Sequence, residues 1–154
     1  MATKHNKSKK GGTRRKRSLN SSSSSLTSFQ KEISVVFLEI LLMVKLFHWK
    51  TTSYATHKAT DELYEKLNGS VDSFIEILLG KTSSRIDLMN QKNIRLIDLN
   101  SQESLKKEID TFKSYLVSLD DNKAMKTMSN SDLYNIRDEI LGGLNQFLYL
   151  LTFK

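Results

Sequence analysis

Apolar residues recur every three or four positions in four separate stretches of this chain, and no proline interrupts any of them. That spacing marks amphipathic helices. Proline would break them, because it removes a backbone donor and clashes with the preceding turn. The first helix is expected from about Thr27 to Lys50, apolar around most of its circumference near its C-terminal half and so covered on several sides. The second spans about Ser53 to Lys81, with a core stripe of Leu63, Leu67, Val71, Phe74 and Leu78. The third opens at Asn100, where Glu103 completes a capping box, and carries Leu105, Ile109, Phe112, Leu116 and Leu119. The fourth starts at Ser129 or Ser131, with the stripe Leu133, Ile136, Ile140, Leu144, Phe147, Leu148 and Leu151.

The links between helices constrain the topology. The first and third links are short, which predicts antiparallel neighbours. The second, Ser83 to Leu99, is long enough to span about 55 Å when extended, against about 37 Å for a 25-residue helix. It can therefore cross the whole length of a bundle. The expected fold is all-α: a ferritin-like four-helix bundle over residues 26–154, with a long crossover between its second and third helices.

Charge is distributed unevenly. Residues 1–25 hold Lys4, Lys7, Lys9, Lys10, Arg14, Arg15, Lys16 and Arg17, eight of the 24 basic residues and none of the 17 acidic ones. The rest of the chain is close to neutral, so the net charge of +7 belongs to this segment. With Gly11-Gly12 and the serine run Ser21 to Ser25, it is expected to be a disordered basic tail. Eight cations on such a tail would neutralise nucleic-acid phosphates independently of sequence. No aromatic residue lies there to stack on bases. A nuclear-import signal or a solubilising tail is the competing reading.

The absence of cysteine excludes disulfides, zinc–thiolate sites and thiol nucleophiles. No secretory signal is apparent. The most apolar window, Val35 to Trp49, is broken by Glu39, Lys45 and His48 and is shorter than the roughly 20 residues of a membrane span. A soluble, intracellular protein with no membrane partner is expected. Gly-rich phosphate loops and nucleophile elbows are also missing.

One group of residues could bind metal. His48 ends the first helix beside Trp49, and His57 opens the second. At about 100° per residue, His57, Asp61, Asp72 and Glu76 share one stripe of the second helix about 100° wide, together with Glu65 and Asn68. An acidic stripe facing away from the core is ordinarily solvated surface. Here, however, Tyr64, Ile75 and Leu79 flank it, and His48 is placed to meet His57 across the short turn. His57 and Glu76 are separated by about 28 Å of helix and cannot hold one ion within a chain. A shared centre requires two chains packed head-to-tail about a two-fold axis, the commonest oligomer geometry.

The stretches Lys45-Leu46-Phe47-His48-Trp49, His57-Lys58-Ala59-Thr60-Asp61 and Asp72-Ser73-Phe74-Ile75-Glu76 resemble the ferroxidase signature of the Dps family, the DNA-binding proteins from starved cells. Gln146-Phe147-Leu148-Tyr149-Leu150 resembles that family's last helix, and the likeness covers roughly residues 30–153. The chain is similar as well to short ferritin-like proteins of large DNA viruses. One departure is the segment Lys50 to Thr56, which is shorter than usual in the family. The resemblance implies a site in which His48, His57 and Asp61 meet Asp72 and Glu76 of a neighbour, with Trp49 and Glu65 nearby. It also implies oxidation of ferrous iron by peroxide or dioxygen, a dodecamer that stores ferric mineral, and protection of DNA under oxidative stress. The donor set would equally suit manganese or zinc. A nucleoid, nuclear or virion location is compatible with this reading. The alternative is a non-enzymatic DNA-packaging or virion-associated protein on the same fold.

Deleting residues 1–25 should abolish retardation of duplex DNA in a low-salt gel, and binding by the full chain should fall steeply as salt rises. Equal retardation by both forms would remove the tail assignment.

Overall fold

A computed structural model describes the backbone of residues 14–153 and the side chains of residues 25–153. The described residues form helices α1 (Arg14–Lys50), α2 (Tyr54–Thr82), α3 (Gln102–Ser118), α4 (Lys123–Lys126) and α5 (Ser131–Leu150), with a 3₁₀ turn at Leu119–Asp121 and no strand. No helix among them is long and apolar enough to cross a membrane.

Helix α1 starts well before the expected Thr27. Its backbone takes in Arg14 to Ser25, residues that the sequence assigns to a disordered tail. Serine costs a helix only a fraction of a kcal/mol per residue. No glycine or proline lies between Arg14 and Lys50 to stop propagation from the apolar half. The cations Lys4, Lys7, Lys9 and Lys10 lie outside the described residues.

Helix α2 begins where Ser53 Oγ accepts the Thr56 amide, and it ends at Ser83. There the Ser83 and Ser84 amides bond back to the Gly80 and Leu79 carbonyls. This closing arrangement puts its pivot residue in the left-handed region, usually as glycine, yet Ser83 occupies it at φ 49°. Helix α3 is capped by Ser101, whose hydroxyl accepts the Ser104 amide, and not by Asn100. The expected Asn100–Glu103 box is therefore absent.

Contacts between helix ends establish direction. The α1–α2 turn is only Thr51 to Ser53, so these helices run antiparallel. The start of α3 meets the end of α5, where Gln102 Nε2 donates to the Leu151 carbonyl at 2.9 Å. Lys81 at the end of α2 pairs with Asp132 at the start of α5 (2.8 Å). The crossover leaves α2 beside Gln30, which donates to Ser84. It passes Glu39, which accepts the Arg95 amide, and reaches Lys50, which pairs with Asp98. It therefore runs along α1 from Gln30 to Lys50, and the four long helices run up, down, down, up.

The core lies between these helices. Phe37 of α1 sits edge-on to Phe74 of α2 and to Phe112 of α3, with ring centroids 5.3 and 6.2 Å apart. All five stripe residues predicted for α2 are buried. The link from α3 to α5 is not a bare loop. Its 3₁₀ turn and α4, capped by Asn122 Oδ1, bury Leu119, Ala124 and Met125.

Phe37→Ala should cost about 3–5 kcal/mol of unfolding free energy in denaturant titration, because the lost ring leaves a hole bordered by three helices. Ser83→Gly should stabilise the chain by up to about 1 kcal/mol, since it removes a Cβ from left-handed backbone. Lys81 holds the Asp132 carboxyl below its usual pKa, chiefly through their hydrogen bond. A depressed carboxyl stabilises above its unfolded pKa, and that contribution fades as pH falls through the folded value. Asp132→Asn should therefore flatten the acid side of the stability profile below about pH 4, as read from thermal melts.

Candidate functional site

The three-residue turn brings the last turn of α1 against the first turn of α2. His48 and His57 consequently stack, with ring centroids 3.9 Å apart and planes inclined by 24°. His48 Nδ1 lies 3.1 Å from the His57 carbonyl, and His57 Nδ1 lies 3.1 Å from the His48 carbonyl. A carbonyl oxygen can only accept, so each Nδ1 carries the proton and donates. Thr60 Oγ1, itself donating to the Thr56 carbonyl at 2.8 Å, takes a further share of the His48 Nδ1–H at 3.3 Å. Whenever a ring is neutral, this fixes its tautomer and leaves Nε2 with a free lone pair. A metal-ligating histidine is usually anchored in this way, by its other nitrogen on a carbonyl.

Asp61 faces this pair. Its Oδ1 is 3.8 Å from His48 Nε2, too far for a hydrogen bond. Two ligands held at about 2.1 Å by one ion can be at most about 4.2 Å apart, so the gap admits a shared ion. His48 is buried, His57 and Asp61 half-buried. Asp61 thus approaches His48, whereas its four-residue spacing from His57 suggested the other histidine. Thr60 is fully buried and was missed by the sequence reading, although its position three residues after His57 places it over the same turn. The turn of Thr51 to Ser53 sets this stack, because it leaves no slack between the helices.

Asp72 and Glu76 lie farther along α2, about 22 and 28 Å from His57. Both are exposed, and neither makes an ion pair or side-chain hydrogen bond among the described residues. Among those residues no three histidine or carboxylate side chains gather closely enough to hold an ion. One chain thus stacks His48 on His57 and brings Asp61 near His48 alone, and it leaves Asp72 and Glu76 apart. Glu65 is also exposed.

An apolar surface adjoins the acidic stripe. Leu38, Leu42 and Trp49 fall on one line of α1, and all are exposed, Trp49 by 68%. Lys45 on the same line lies 4.5 Å above the Tyr64 ring, which joins that line to the flank of α2. Tyr64, Ile75 and Leu79 are half-buried there. The line, the flank and the carboxylates form one continuous face.

A family described as "Family of unknown function (DUF5856)" matches residues 48–151. No curated protein and no solved structure matches the chain.

Nitrogen-15 NMR of the neutral protein should find both imidazoles protonated at Nδ1 and bare at Nε2. An Nε2–H form at either ring would contradict the reciprocal bonds.

Proposed function

The chain belongs to the DUF5856 family, whose function is unknown, and for this member we propose a Dps-like role: a ferritin-like bundle that oxidises ferrous iron at a site shared by two subunits and holds DNA through its basic N-terminal segment. The observation that carries this reading is the locked pair His48 and His57, both Nε2 lone pairs free, beside the Asp61 carboxylate. Two further features support it. An up-down-down-up order with one lengthwise crossover is the connectivity of ferritin-like bundles. The face of Leu38, Leu42 and Trp49, continuous with Asp72 and Glu76, suits a second copy packed head-to-tail. In that pairing Asp72 and Glu76 of one subunit complete the half-site of the other.

The residues have separable roles. His48 and His57 would bind the ferrous substrate through nitrogen, and Asp61, Asp72 and Glu76 through oxygen. Carboxylates favour the ferric product over the ferrous substrate because they are hard anionic donors, so the donor set assists loss of an electron to peroxide or dioxygen. Thr60 positions His48. Manganese and zinc would fit the same donors, and zinc would bind without turnover. The cations of residues 4–17 supply attachment to phosphates, and several copies in one oligomer would add avidity.

Ferrous iron added in air should be oxidised faster than in buffer alone, followed by ferric absorbance, and His57→Ala or Asp72→Ala should return the rate to the blank. Co-refolding the two variants tests sharing directly. Random pairing makes half of the dimers mixed, and each mixed dimer has one intact site, so about a quarter of the activity should return. No recovery would defeat the shared site. Unaccelerated oxidation with intact DNA binding would leave the packaging role instead.

A further inference from the structure

A cavity of about 200 Å³ lies between α1, α3 and the crossover. Val36, Ile40 and Met43 of α1, Phe112 of α3 and Ile97 of the crossover give it an apolar lining. Drug-sized ligands need roughly 300–1,000 Å³, whereas a cavity of about 150 Å³ accepts benzene. The space therefore suits a single ring with a short arm.

The cavity's polar groups are selective. Tyr115 lines it, and its hydroxyl is buried without a well-formed hydrogen bond among the described residues, the Glu32 carboxylate being the one acceptor near enough to take its proton and leaving the hydroxyl oxygen open to a donor. A buried hydroxyl without a partner is costly and normally finds one in a ligand or water. Burial above all, then the charge of Glu32 and a hydrogen bond toward it, push its pKa up, so it stays a neutral hydroxyl. Glu39 and Glu108 also line the space, and Arg95 spans them, its guanidinium 4.0 Å from Glu39 and 3.9 Å from Glu108. One guanidinium against two carboxylates leaves a negative charge uncompensated, and Glu32 adds to it. Arg95 is itself well exposed, so water weakens its hold on both partners.

We infer that this cavity binds a small organic cation, an aromatic or branched apolar group bearing one ammonium. The apolar body rests against Val36, Ile40 and Phe112. The ammonium displaces part of the Arg95 bridge at Glu39 and Glu108 and donates to the Tyr115 hydroxyl oxygen. The cavity uses no residue of the His48–Asp61 site, so its fate is independent of the iron reading.

The test titrates the full chain with phenethylammonium chloride, and with ethylbenzene and phenylacetate as neutral and anionic comparators, by amide NMR. The ammonium compound should shift the amides of residues 95–97 and 111–115 saturably. Binding should weaken at least three-fold in Tyr115→Phe and at least ten-fold in Glu108→Gln. Thr111→Tyr, at an exposed position that lines the cavity, should block it while leaving the helical circular dichroism intact. No shift with phenethylammonium, equal binding of either comparator, or undiminished binding by Thr111→Tyr would overturn the proposal. So would shifts that follow protein concentration and not amine concentration, which would assign the cavity to a second copy.

Discussion

Two imidazoles that each donate to the other's backbone carbonyl hold the end of α1 against the start of α2. The last carbonyls of a helix have no partner within it, and His57 Nδ1–H satisfies one of them, that of His48. The turn of Thr51 to Ser53 reaches little more than 10 Å even when extended, so α2 cannot slide along α1 to relieve a mismatch. Register, stacking and the orientation of both rings are therefore one constraint. Replacing either ring would unseat a helix terminus as well as remove a donor. For that reason a tautomer measurement on the intact chain separates the two roles better than a substitution does.

The crossover is the second organising element. Because it travels the length of α1 before α3 begins, α3 runs parallel to α2, and the bundle becomes up, down, down, up. Its first residues alternate as in an extended chain, with Ser84, Ile86 and Leu88 turned partly inward and Arg85, Asp87 and Met89 exposed. Extended backbone has period two, so such a strap can turn alternate residues onto the helices it covers, although Met89, Ile94 and Leu96 farther along it stay exposed. It covers the α1–α3 side, where it roofs the cavity, and leaves the line of Leu38, Leu42 and Trp49 open. The two sides of α1 consequently differ: one is closed by the chain itself, and the other remains available.

Helix positions were readable from sequence where burial repeats with helical period. Leu63, Leu67, Val71, Phe74 and Leu78, or Leu105, Ile109, Phe112 and Leu116, mark a core face whatever they pack against. The crossover was readable because chain length bounds reach. The N-terminal extension of α1 was not, since polarity reports what a segment can bury and not whether a neighbouring helix will propagate through it. The cap at Ser101 was missed because Asn100 and Ser101 are both good caps, and backbone geometry chooses between them. At the candidate site, periodicity placed His57 and Asp61 on one face and the short turn implied that His48 would join them. The approach of Asp61 to His48 depends on the stacking of two rings, which spacing along one helix cannot express. The cavity was invisible for a stronger reason: its walls come from three segments whose meeting is a property of the fold.

On the proposed reading, division of the ligands between two copies has a physical consequence beyond geometry. The half-site of His48, His57 and Asp61 is built by local contacts within one chain and needs no metal to form. Asp72 and Glu76, exposed and without an ion pair among the described residues, pay no cost of burial until a partner arrives. Bringing these carboxylates beside the imidazoles in an apolar interface would strip them of water, which is unfavourable unless a cation sits between them. Assembly and iron binding would then be linked, each increasing the affinity of the other by the same factor. A lone subunit would hold ferrous iron weakly, and the complete donor set would exist only where the assembly can contain the oxidised product.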